Sequence, residues 1–128
     1  MNQRVQKANL WVCGVAMVLA VPLLWLALAA QSPPIYLTAM VLAEFLVFMP
    51  TGPVNSAIIN AVSANDRAKA MAASILVIHL LGNVPSPPLI GWLADKTTLS
   101  QALLLVPAAA LVSALIWLGA AIGLRSPD

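Results

Sequence analysis

Two groups of polar side chains stand inside long apolar stretches of this chain. The first is Glu44, Thr51 and Asn55, and the second is His79, Asn83 and Ser86. Thr51 and Asn55 follow Glu44 by 7 and 11 residues. At about 100° per residue that returns all three to one helical face, with Phe48 between them. His79, Asn83 and Ser86, spaced i, i+4 and i+7, likewise share a face. A carboxyl in apolar surroundings is costly as an anion, so it suits taking up and releasing a proton or pairing with a cation. Two readings of Glu44 fit: a coupling or solute-binding group, or a protonated side chain bonded to a neighbouring helix. His79 has the same two readings, a member of a proton or solute pathway or a satisfied structural histidine. Helix-breaking residues accompany both groups. Pro50, Gly52 and Pro53 follow Glu44, and Gly82, Pro85, Pro87 and Pro88 surround Asn83 and Ser86. Such residues kink a helix and free carbonyls, which marks either a packing kink or the hinge and binding region of a transporter.

Other chemistry finds no support. With one histidine there is no nucleophile, base and orienter set, and no glycine loop suits a phosphate, so the chain does not read as an enzyme. One cysteine, Cys13, forms neither an internal disulfide nor a metal site on its own. No cofactor and no metal is expected. The basic residues are not clustered with aromatics, which excludes a nucleic-acid partner.

The elements that must hold these groups are membrane helices. Of 128 residues, 62% are hydrophobic and 8% charged, against about 25% charged in a soluble domain. Too little polar surface exists to face water, so the lipid bilayer is the expected partner. About 20 apolar residues cross the hydrocarbon core, and four stretches are long enough: residues 9–30, 34–62, 68–94 and 99–124. Lipid offers no partner to free amides, so the fold class is all-α, a polytopic protein of four transmembrane helices in a single membrane domain, 1–128. Glu44 then lies about nine residues, roughly 13 Å, into its span. His79 lies at a matching depth in the next. Ser63 and Asp66 have the spacing of a capping box ahead of the third span. Gly119 and Gly123 form a small-residue packing pair in the fourth.

Arg4, Lys7, Arg67, Lys69 and Arg125 fall on one side of this arrangement and Lys96 on the other. Positive residues stay inside, so both termini are expected in the cytoplasm. Trp25, Tyr36 and Trp92 fall near the outer ends of their spans, where aromatic belts form. The N-terminus has some features of a signal peptide ending near Ala27-Leu28-Ala29, but its apolar run exceeds a usual signal core and retention is expected.

The stretch from His79 to Asp95, HLLGNVPSPPLIGWLAD, resembles the eleventh helix of spinster-like transporters of the major facilitator superfamily. Their pattern there reads roughly H-L-L-G-D-x-x-S-P-x-L-x-G-x-x-x-D. Ala43-Glu44-Phe45-Leu46-Val47-Phe48 resembles their G-E-F-L-x-F in the tenth helix, and Arg67 with Ala70 and Ala72 resembles the connection between the two. The resemblance covers about Ala8 to Gly119. It departs from the pattern at Asn83, where the family usually has Asp. It also departs at Pro50-Thr51, in place of an Asn-Trp pair common in animal members, and at Ser56, where those members carry Asp.

The resemblance implies that the four spans are the ninth to twelfth helices of a twelve-helix facilitator, a partial C-terminal bundle. The tenth would line the central cavity, the eleventh would help gate it, and the others would support them. It implies transport of small organic or lipid-like solutes by alternating access, in a bacterial inner (plasma) membrane. The expected partner is a missing N-terminal transporter portion, from a truncated or split protein, or a second copy of the chain. Two alternatives stay open. One is a self-sufficient four-helix small multidrug exporter acting as an oligomer, although those proteins carry their key Glu in the first helix. The other is a non-transporting membrane subunit.

Overall fold

The structure, a computed structural model, describes residues 3–123. Leu124, the expected end of the fourth span, and Arg125 lie outside the described residues. Four helical runs are long and apolar enough to cross a membrane: Arg4–Ala29, Pro33–Ala61, Ala64–Lys96 and Leu99–Gly123. They coincide with the four expected spans and extend some of them by a few residues. Prolines divide three of these runs into shorter elements, and the chain falls into two compact units, Met1–Pro53 with Val106–Asp128, and Val54–Leu105.

In the first unit, α1 (Gln3–Ala29) and α2 (Pro33–Phe48) pack along one another. The turn between them is set by Ser32, whose carbonyl accepts from the amides of Ile35 and Tyr36 at 3.1 Å each. Pro33 and Pro34 occupy the first helical positions, where a missing N–H costs nothing. Small side chains make the contact. Ala16 and Ala20 on α1 and Ala39 and Ala43 on α2 are buried. Helices in lipid gain little from hydrophobicity and associate through close backbone approach, which small residues permit.

The fourth run begins at α6 (Leu99–Leu103), where the Thr98 hydroxyl accepts from the Gln101 amide at 3.3 Å as an N-cap. It then breaks at Leu104 before α7 (Leu105–Gly123). Pro107 is the cause, since it offers no N–H to the Leu103 carbonyl, and the Leu104 amide turns back to Gln101 O at 3.2 Å. Within the first unit α7 approaches α1 closely at Gly14. A Cβ placed there would stand 2.6 Å from Leu118 Cδ2 and 3.4 Å from the Leu118 backbone nitrogen. Gly119 and Gly123, the expected packing pair, have open space around them in this chain.

The second unit contains most of α3 (Thr51–Ala61), a 3-10 turn at Ala64–Asp66, α4 (Arg67–Ile78), a π turn at His79–Asn83, and α5 (Ser86–Lys96). The α5 end is closed by Thr97, whose amide and hydroxyl both donate to Leu93 O, at 3.0 and 2.7 Å. Lys96 Nζ lies 4.6 Å from the centre of the Trp92 ring. That pairing suits a span end, where an aromatic ring and a basic head share the interface.

The Gly14 contact yields a direct test. Gly14→Ala is absorbed by rotation of Leu118. Gly14→Leu reaches the α7 backbone and should destabilise the chain by about 1–3 kcal/mol. Leu118→Ala should restore most of that loss. Unfolding in mixed micelles measures both, and an unaltered Gly14→Leu variant would contradict the contact.

Candidate functional site

Glu44 is held by α2 in the first unit. Leu37, Val41, Glu44 and Phe48 share one face of that helix and all are exposed. The buried pair Ala39 and Ala43 lies on the opposite side. α2 therefore spends its small-residue face on packing and leaves its one carboxyl on an exposed face that it shares with Phe48.

The helix then breaks where expected. Met49 closes α2 with its amide on Phe45 O at 3.1 Å, Pro50 follows, and Thr51 opens α3. Pro50 and Pro53 have no N–H, so the carbonyls of Leu46 and Met49 lose their helical donors. Gly52 has open space around it, so its lack of a side chain serves the backbone and not a packing contact. Thr51 is exposed and belongs to the first unit, whereas the half-buried Asn55 belongs to the second.

The connection to the third span is locked by charged groups. Arg67 Nε donates to Ile59 O at 3.2 Å, satisfying a carbonyl near the end of α3. The Ser63 hydroxyl donates to Asp66 Oδ2 at 2.7 Å, and Lys69 Nζ reaches Asp66 Oδ1 at 3.2 Å. The expected capping box takes a different form here. Ser63 and Asp66 bond to each other, with neither side chain on a backbone amide, because Lys69 draws the carboxylate outward.

The second polar group lies within the second unit. His79 Nδ1 and Asn83 Nδ2 are 2.7 Å apart. Ser86 does not join them, and its hydroxyl instead donates to Gly82 O. With the Asn83 amide nitrogen as donor, the neutral imidazole accepts at Nδ1, carries its proton on Nε2, and presents that N–H outward. The usual Asp of the resembled pattern could only accept there as an anion, whereas Asn83 can also donate.

One feature of this region was not read from the sequence. His79–Asn83 is a π turn, with the Val84 amide donating to His79 O, five residues back, at 2.9 Å. Pro85 follows at once without an N–H, and Pro87 and Pro88 deny helical donors to the carbonyls of Asn83 and Val84. A histidine and asparagine four residues apart, just ahead of three prolines, was the available signal. π turns concentrate at functional sites.

A groove of about 350 Å³ between α1 and α2 is lined by Trp11, Val15, Ala16, Leu19, Leu46 and Met49, all apolar. Among the described residues no three His, Cys, Asp or Glu stand close enough to hold a metal.

Residues 30–101 match the Organic Anion Transporter Polypeptide (OATP) family. The probable sphingolipid transporter spinster homolog 2 of Arabidopsis thaliana is 39% identical over 98 residues, covering 72% of this chain and 20% of that protein. Protein spinster homolog 3 of Danio rerio is 34% identical over 98 residues, covering 75% and 20%. Solute carrier organic anion transporter family member 4A1 of Mus musculus is 30% identical over 73 residues, covering 57% and 10%. The chain thus spans about a fifth of the length of these spinster relatives. No solved structure matches it.

The His79–Asn83 bond predicts a tautomer. Nitrogen NMR of 15N-histidine chain in bicelles should show His79 as the Nε2–H form when neutral, and Asn83→Leu should release it to a mixture. An Nδ1–H signal in the unaltered chain would contradict the bond.

Proposed function

The chain belongs to the Organic Anion Transporter Polypeptide family, as a spinster-like member of major facilitator type, and from that premise we propose that it serves the movement of an organic, lipid-like solute across a membrane. The observation that carries this reading is Glu44 on the uncovered face of α2, opposite the alanines that pack on α1. A carboxyl kept at mid-span on a free face is the arrangement of a solute or proton pathway and not of helix packing. The breaks at Pro50, Gly52 and Pro53, and at Gly82, Pro85, Pro87 and Pro88, supply two points at which the second and third spans can bend. Thr51, Asn55, His79, Asn83 and Ser86 supply hydrogen-bonding groups along those spans.

The protein is an integral membrane protein, and two of the three relatives above carry the word transporter in their names. The distribution of Arg4, Lys7, Arg67 and Lys69 against Lys96 supports cytoplasmic termini. Alternating access requires two bundles moving against each other. The exposed apolar faces of α4 and α7 therefore work against further transporter helices, supplied by another polypeptide segment or by a second copy. The uncovered face holds phenylalanines beside one carboxyl, which suits an amphipathic solute or a proton moving with it.

The test is Glu44→Gln in a proton-driven flux assay on the assembled transporter. Flux should fall by about tenfold or more, while Glu44→Asp keeps a measurable part of it. Unchanged flux in Glu44→Gln would remove Glu44 from the solute or proton pathway.

A further inference from the structure

The third span contains one residue more than an α-helix would need at its centre, and the surroundings of that residue are built to let it move. The π turn His79–Asn83 is held by the Val84 amide on His79 O. In an α-helix the same amide would donate to Leu80 O, one carbonyl further on. A change of register in a helix interior normally propagates, because every later amide must also change acceptor. Here it stops at once, since the next residue is Pro85 and has no amide to re-pair. Gly82, at the centre of the turn, has no atom within 4 Å of a would-be Cβ. Its lack of a side chain thus answers no packing need and leaves the backbone mobile. His79 and Asn83 bond within the turn, and Ser86 caps Gly82 O with its own side chain.

We propose that this turn is a register switch. Transfer of the Val84 amide from His79 O to Leu80 O converts it to α-helix and rotates α5 against α4 by roughly one residue, about 100°. The exchange costs one backbone hydrogen bond for another. The rotation changes which face of Ser86–Lys96 stands in line with His79 and Asn83. As a gate for a solute the switch rests on the transport reading above, whereas as a change of backbone register it does not. A test that reads the backbone therefore keeps the two separate.

The experiment is 15N relaxation dispersion on the 15N-valine chain in lipid bicelles, comparing Val84 with Val77 in α4. Val84 should show microsecond-to-millisecond exchange broadening and Val77 should not. Deletion of Leu81 makes His79 the residue four positions before Val84, so the same bond becomes an α bond and the flanks keep their present register. The exchange should then be lost. Gly82→Ala, which adds a methyl group into open space, should change its amplitude without deleting a residue. Val84 as quiet as Val77 in the unaltered chain would overturn the proposal. So would exchange that survives unchanged in both variants, or in Gly82→Ala alone if the deletion does not fold.

Discussion

Every backbone amide and carbonyl in a membrane span must find its partner inside the protein, and most of what this chain does follows from where that rule is relaxed. Prolines stand at Pro22, Pro50, Pro53, Pro85, Pro87, Pro88 and Pro107, each inside or at the edge of a helical run. Each removes one donor and frees one carbonyl. The chain answers these losses differently. At Leu104 the backbone tightens into a turn, and at His79–Asn83 it widens into a π turn. Where α3 simply ends, with no proline involved, Arg67 reaches back to Ile59 O and supplies a guanidinium donor. Two of the breaks, after Glu44 and around Asn83, lie beside polar side chains, so the freed carbonyls there adjoin further hydrogen-bonding groups.

Packing obeys a second consequence of the lipid environment. The buried positions of α1, α2 and α7 are mainly alanines, with Cys13 and Met17 the larger exceptions on α1. Large apolar side chains point outward, with Phe48 and Leu81 among the most exposed. This inverts the arrangement of a water-soluble protein, where large side chains fill the core. It leaves Glu44 on a free face, because the face used for packing admits only small residues.

The four spans were legible in the sequence because hydrophobic length is a strong signal and helix is the available answer in lipid. The kink at Pro50 was legible for the same elementary reason, the missing donor. Less could be read where the answer depends on which acceptor an amide chooses. Helical periodicity placed His79, Asn83 and Ser86 on one face, but the π turn and the Ser86 bond to Gly82 O separate Ser86 from the other two. Ser63 and Asp66 had the spacing of a capping box, yet Lys69 redirected the carboxylate and the two side chains paired with each other. The break at Leu104 follows from Pro107 by the same rule as the other kinks, but it lies in a run of Ala, Leu and Val with no charged residue to draw notice.

The central claim is that the uncovered face of α2 borders a solute pathway. The most direct measurement is single-cysteine labelling with a water-soluble thiol reagent, in a Cys13→Ala background. Cysteines placed singly at Leu37, Val41, Glu44 and Phe48 should react, whereas those at Ala39 and Ala43 should stay protected. Equal labelling of the two faces, or none at Glu44 and Phe48, would contradict the account.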